Sequence, residues 1–314
     1  MASGELILSP VEKKLAEPLL NWLVPERITG KKELVINHPG EIGLESYEGT
    51  WEFHKEPLLT LDALTGIMNL LADRTNQTYN MANPILSVKL PGGHRAQFVA
   101  GQQNAQKFSL CVRLANEREF TLESYVMEPE QRNDLVNAVQ TRNTVLISGG
   151  TGTGKTSFMN ALMKYIPMED RLVILEDVPE LRFNQNNVVH FLFANFAKGQ
   201  EGGRVAAVNE LLNATLRMRP DRIIMGEIRK ENAFTFCSAI NTGHQGSMAT
   251  VHANTPEGAI DAVINRVMLN GDTTESALQI LQRQLAGDIA GVVQLERVGP
   301  KVHARWKRFD QKPV

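Results

Sequence analysis

Short apolar runs separated by turn residues fill the first 115 positions, and few of them are long enough for helix. "KELVIN" and "HPGEIGLES" read as two strands around a His-Pro-Gly turn, because Pro and Gly punctuate and the flanks are β-rich. "LTLDALTGIMNLLADRTN" places apolar residues at Leu61, Leu64, Ile67, Met68 and Leu71, the spacing of an amphipathic helix. Strand-like pieces follow at "ILSVKL", "HRAQFVAG" and "FSLCVRLA". Ahead of them, "LAEPLLNWLV" carries Leu15, Leu19, Leu20 and Leu23 at helical spacing, which we read as packing on its own domain. The expectation is an N-terminal α+β domain over residues 1–115.

The pattern then changes. "NEREFTLESYVMEPE" is acidic and polar, so residues 116–130 are expected to form a linker. Beyond it, apolar strand-like runs alternate with helical ones: "TVLIS", "SFMNALMKYI", "RLVILED", "AAVNELLNATLRM", "DRIIMGE", "NAFTFCSAINTG" and "GSMATVHA". Such alternation predicts an α/β domain over residues 131–314, a mostly parallel sheet flanked by helices.

Composition supports two globular domains. The chain has 314 residues, 42% hydrophobic and 22% charged, a soluble balance. A net charge of −2 speaks against a protein coated in basic surface, so direct nucleic-acid binding is not expected. Arg305, Lys307 and Arg308 form a small basic group, read as a solvated strand or tail. Cys111 and Cys237 sit in apolar neighbourhoods and read as buried free thiols of a reducing compartment. The start lacks a signal-peptide pattern and no apolar stretch approaches the ~20 residues of a membrane span. The expected location is cytoplasmic, with membrane association left to partners.

Chemistry concentrates at "GGTGTGKT", which follows the apolar run "NTVLIS" and opens a helical one. Gly149, four residues, then Gly154, Lys155 and Thr156 is a P-loop in full form. Glycines let backbone N–H groups curl around phosphate oxygens, and the helix behind adds its positive end. The expected nucleotide cradle is Gly149, Gly150, Thr151, Gly152, Thr153, Gly154, Lys155, Thr156 and Ser157. Lys155 should reach the β- and γ-phosphates of ATP and the Thr156 hydroxyl should ligate Mg2+. Hydrolysis needs a carboxylate at another strand end. Glu176 and Asp177 end "RLVILED", with Glu180 close behind, and Glu227 ends "DRIIMGE". Glu227 is the candidate to orient the attacking water, with a share in holding the metal. His244 and His252 flank the strand "SMATV" in a Gly/Thr/Asn-rich stretch, and a phosphate sensor is one reading of them, packing residues the other.

Four stretches stand in one order: "GGTGTGKT", "LEDVPEL", "LRMRPDRIIMGEIR" and "TGHQGSMATVHANT". Together they resemble the secretion ATPase superfamily, with its Walker A, Asp box, Walker B and His box. "KELVINHPGEIGLE" is similar to the VirB-type traffic ATPases of type IV secretion and conjugation systems, with His38 where that branch carries Arg. The resemblance implies a RecA-like C-terminal domain, a homo-hexameric ring, partners among cytoplasmic and inner-membrane secretion components, and ATP hydrolysis with Mg2+. It makes Glu176, Asp177 and Glu180 the Asp box, and His244 and His252 the His box. It also implies that Arg95 and Arg113, on strand-like runs outside the P-loop domain, act on the nucleotide phosphates. A pilus-retraction motor or a type II secretion motor is the alternative, the latter usually carrying a four-cysteine insertion that two distant cysteines cannot build. A nucleic-acid translocase is a more distant one.

Overall fold

In the computed structural model, residues 6, 8–78, 80, 83–102, 104–115, 119–177, 179–193, 210–211, 213–269 and 275–309 are described. Contacts divide the chain into Met1–Arg118 and Glu119–Val314. In the first unit, helices α1 (Pro10–Leu20) and α2 (Pro25–Ile28) lead into strands β1 (Lys31–Ile36), β2 (Glu41–Ser46) and β3 (Trp51–Lys55). Helix α3 (Leu61–Arg74) and strands β4 (Ile85–Lys89), β5 (Arg95–Ala100) and β6 (Phe108–Arg113) follow. The strands form one antiparallel sheet in the order β3-β2-β1-β6-β5-β4.

Alternation decides the faces. Leu34, Ile36, Ile42, Leu44, Phe98 and Leu110 point into a core closed by α1 and α3. Helix α3 begins at Thr60, whose hydroxyl accepts the Ala63 N–H, and buries Leu64, Ile67, Met68 and Leu71 as its spacing predicts. Helix α1 opens with a reciprocal Ser9–Glu12 cap; of the expected stripe, Leu19 and, just beyond the helix, Leu23 are buried in the unit's own core and Leu20 packs against it, while Leu15 stays exposed. Strand β3 was not anticipated: it is an edge strand, exposed along its whole length, and lacks the buried half that makes a period visible. Cys111 is only half-buried, donating to Glu33 at 2.8 Å, while Cys237 is buried. Burial pushes both thiols up to about 12, so neither is a nucleophile at neutral pH.

In the second unit, helix α4 (Pro129–Gln140), strand β7 (Thr144–Gly149), helix α5 (Lys155–Met163), and strands β8 (Leu172–Glu176), β9 (Val188–Leu192) and β10 (Arg222–Met225) come first. Helix α6 (Ala233–Asn241), strand β11 (Met248–Val251), helices α7 (Pro256–Leu269) and α8 (Glu275–Asp288), and strands β12 (Ile289–Val298) and β13 (Lys301–Arg308) complete it. The sheet order is β13-β12-β7-β11-β10-β8-β9, parallel except for β13. Both faces of the central strands are covered, which is why β7, β8, β10 and β11 are buried along their whole lengths, whereas edge strand β13 alternates. Val145 and Ile147 of β7 meet α4 and α5 on one side, and Leu146 meets α6 and α7 on the other.

Two boundaries differ from the composition. Leu122, Tyr125 and Met127 of the expected linker are buried in the second unit's core, and Val126 exchanges backbone hydrogen bonds with Val302 and Ala304 of β13. Polar neighbours hide these three anchors in the sequence; residues 116–118 lie outside the described residues. The helix expected at "AAVNELLNATLRM" is helical at 210–211 and 213–217, while 206–209 and 212 also lie outside them. The basic trio does sit on a strand: Arg305 and Lys307 are exposed on β13, Lys307 pairs with Glu257 and Arg308 with Asp134.

At the amino ends of these strands lies a buried ion pair. Arg222, fully buried, donates from Nε to Asp170 Oδ2 at 2.5 Å and from Nη1 to the Val139 carbonyl at 2.7 Å. Arg142 holds the other Asp170 oxygen. Removing one partner leaves a buried charge uncompensated, which costs far more than the pair is worth. Asp170→Ala should therefore destabilise the protein by about 3–5 kcal/mol, read as a fall in denaturation midpoint; an unchanged midpoint would contradict this account.

Candidate active site

The P-loop runs from the end of β7 into α5. Gly152 (φ 73°) and Gly154 (φ 84°) take left-handed backbone there, and Gly154 caps α5. Gly149 has no room for a side chain, since a Cβ would lie 2.6 Å from Thr153 Oγ1 and 2.8 Å from the Leu295 carbonyl. Thr153 Oγ1 donates to the Gly150 carbonyl at 2.9 Å. Lys155 is buried, and its Nζ donates to the carbonyls of Gly149 (3.0 Å) and Gly150 (2.9 Å). Thr151 and Gly152 are exposed at the tip; Thr156 and Ser157 are half-buried in the first turn of α5.

Lys155 also lies 3.3 Å from His252 Nδ1. An ammonium group only donates, so Nδ1 accepts, the imidazole is neutral and its proton sits on Nε2. That proton points at Glu227 Oε1, 3.1 Å away. Burial and then the Lys155 charge hold His252 below the usual histidine range, partly offset by Glu227, in agreement with a neutral ring. Lysine, histidine and carboxylate thus form one hydrogen-bonded chain across the carboxyl ends of β7, β11 and β10.

The segment behind Glu227 is pinned. Ile228 N–H donates to the Thr250 carbonyl (2.8 Å), and Thr250 Oγ1 donates to the Gly226 carbonyl (2.5 Å). Buried Asn232 donates to the Glu227 carbonyl (3.0 Å) and accepts the Arg229 N–H (2.8 Å). The Arg229 side chain reaches both Glu227 and Asp177.

Glu176 has a different place from the one expected of a catalytic carboxylate. It is buried and accepts the N–H groups of Glu180 (3.0 Å) and Leu181 (3.2 Å), and His190 Nε2 stands 2.6 Å from Oε1. Burial raises its pKa against these donors. Both its oxygens are engaged in tying down the loop after β8. Asn160 of α5 holds that loop from the other side, through the Glu180 carbonyl and the Arg182 N–H.

His244 does not join the site. It precedes β11, bonds back to the Ala239 carbonyl, and lies at the amino end of a strand whose carboxyl end carries His252. Four residues at ~3.3 Å each separate the two ends. Arg95 and Arg113 lie in the first unit, directly opposite each other on β5 and β6, Arg113 exposed and Arg95 half-buried.

The family described as Type II/IV secretion system protein matches residues 83–304. The chain belongs to that family. It is 34% identical to the type IV secretion system protein VirB11 of Bartonella henselae, over 78% of each chain. It is 32% identical to the type IV secretion system protein PtlH of Bordetella pertussis, covering 88% of this chain and 87% of that one. The solved structure of the Legionella pneumophila ATPase DotB superposes with TM-score 0.65 at 15% identity, over 99% of this chain and 84% of that one, a likeness of fold. This secretion-family member is a nucleotide-binding, ATP-hydrolysing enzyme.

Sequence reading passed over several supporting side chains of this secretion ATPase. Arg229 was visible as the Arg after "GEI", but nothing local says what it holds. Gln294, a lone polar residue in the apolar run "IAGVVQLERV", accepts from Ser148 Oγ (2.5 Å) and donates to the carbonyl of Ala253, beside His252 (3.3 Å). Gly226 matters through space: a Cβ there would lie 2.8 Å from Glu176 Cβ. Gly226→Ala should push the ends of β8 and β10 apart, moving Glu227, and lower ATP turnover at least about tenfold with ATP still bound. Steady-state kinetics beside a nucleotide-binding titration would check it, and normal turnover would refute it.

Proposed function

We propose that the chain is the ATP-driven motor of a bacterial type IV secretion or conjugation system, working as a homo-hexameric ring. The observation that carries this is the chain Lys155–His252–Glu227 spanning three strand ends at the P-loop. The curated relatives, both named as type IV secretion system proteins, support the setting. Lys155 exchanges its two carbonyl acceptors for phosphate oxygens when ATP enters. His252 loses its lysine donor in the same event, so the imidazole registers occupancy of the phosphate site and passes it to Glu227. Glu227 orients and activates the attacking water.

Thr156 would hold Mg2+ directly and Glu227 through water. Their oxygens suit a hard cation, and among the described residues no cluster of three or more His, Cys, Asp or Glu forms a metal cage. That fits a cation whose remaining ligands are phosphate and water. When bound, it neutralises charge building on the phosphates. Asp177 and Glu180 border the nucleotide from the loop after β8.

Arg95 and Arg113 supply positive charge from the N-terminal domain when the domains close over the nucleotide, which ties hydrolysis to movement. The ring works with cytoplasmic and inner-membrane components of its secretion system. Among the described residues no helix is long and apolar enough to cross a membrane, in keeping with attachment through partners at the inner face of the cytoplasmic membrane. Nucleic acid is not a direct ligand in this reading.

Lys155→Ala should reduce turnover to background in a folded protein. Glu227→Gln should retain ATP affinity while losing about two orders of magnitude or more of turnover; collapse of affinity would instead make Glu227 a binding group. A phosphate-release assay paired with nucleotide binding measures both. Arg113→Ala, and less severely Arg95→Ala, should lower turnover in rings that still assemble. Mixing Arg113→Ala with Lys155→Ala subunits should restore activity if the arginine serves a neighbouring subunit and leave none if it serves its own. Wild-type turnover with both arginines replaced would end this assignment.

A further inference from the structure

Glu227 and Asp177 stand at the carboxyl ends of β10 and β8, neighbours in register through Met225 and Leu175. Two ionised carboxylates on adjacent strand ends repel, and one guanidinium lies against both. Arg229 places Nε and Nη2, each 3.0 Å away, on the single oxygen Oε2 of Glu227, and Nη1 on Asp177. The other Glu227 oxygen, Oε1, is the one that meets His252. We propose that Arg229 is a positioning residue for hydrolysis: by clasping Oε2 and anchoring to Asp177, it turns Oε1 of Glu227 toward His252 and the P-loop. The inference rests on the reading of Glu227 as the water-orienting carboxylate.

Three features separate this clasp from an ordinary surface ion pair, which contributes little. The guanidinium uses three nitrogens on two carboxylates, a fork that an ammonium group cannot reproduce. Its backbone is fixed by buried Asn232, which also holds the Glu227 carbonyl, so carboxylate and guanidinium share one anchor. The remaining charges around the pair are spoken for: His252 takes Oε1, while Arg266 and Glu231 act only through space. Glu227 thus has one oxygen restrained by a cation and the other turned to His252, and the restraint comes from Arg229.

The test is steady-state ATP hydrolysis by assembled full-length rings. Arg229→Ala should lower kcat by between about tenfold and a hundredfold while KM for ATP stays within about twofold, as expected when a reacting group is misplaced but binding is untouched. Arg229→Lys keeps the charge without the fork and should recover part of the loss; it also serves should Arg229→Ala fail to fold, as judged by circular dichroism. Asp177→Asn should show a smaller loss that adds nothing to Arg229→Ala, because Asp177 acts through the arginine. Wild-type kcat in Arg229→Ala, a defect carried by KM alone, or additive losses in the double variant would overturn the proposal. Glu227→Gln is measured alongside: if that variant keeps full turnover, the underlying reading of Glu227 has failed instead.

Discussion

The arrangement depends on the parallel register of four strands. Because β7, β11, β10 and β8 run the same way and pair residue for residue, Gly149, His252, Glu227 and Asp177 emerge together at one edge, although Gly149 and His252 are 103 positions apart in the sequence. Parallel strands demand crossovers, and the crossover helices bury both faces of the sheet, leaving the strand ends as the place where polar groups are tolerated. Gly149 and Gly226 serve the same constraint, since each stands where a Cβ would strike its neighbour. The ligand crevice is a product of topology before any side chain is chosen.

On that edge, charges are arranged as a gradient from lysine to carboxylate. Neutral His252 separates Lys155 from Glu227, so the P-loop cation and this carboxylate do not collapse into a direct ion pair. Beyond Glu227, Arg229 and Asp177 continue the alternation of sign. Glu176 stands apart, desolvated and spent on backbone N–H groups and His190. One acidic cluster in the sequence thus supplies a half-exposed carboxylate beside the site and a buried tie beneath it.

The opposite end of the sheet works by different rules. There Arg222 and Asp170 are sealed together, and Gly246 makes room: a Cβ on it would come 3.0 Å from the Arg142 Cα and 3.2 Å from Arg222 Nη1. His244 belongs to this structural end. Its proximity to His252 in sequence is misleading because the intervening strand carries the two to opposite edges.

Much of this was legible in the residues themselves. P-loop spacing, strand-helix alternation and apolar runs are local signals, and they determined the mostly parallel sheet, its helices, the P-loop between β7 and α5, and the position of Glu227 at a strand end. The resemblance to secretion ATPases was equally legible, because four ordered motifs carry more information than any one. Other features depend on partners distant in the chain. The polar stretch around Leu122, Tyr125 and Met127 became part of a core only because β12 and β13 return beside it. Strand β3 shows no period because neither of its faces is buried. The loop folding back on Glu176 engages that carboxylate, and strand order brings Arg229 and Gln294 to their partners. The sequence by itself determined the elements and the chemistry available, since periodicity and motif spacing act over a few residues. Only the tertiary structure decided which groups meet, because hydrogen bonds between strand ends depend on register and burial that no local pattern encodes.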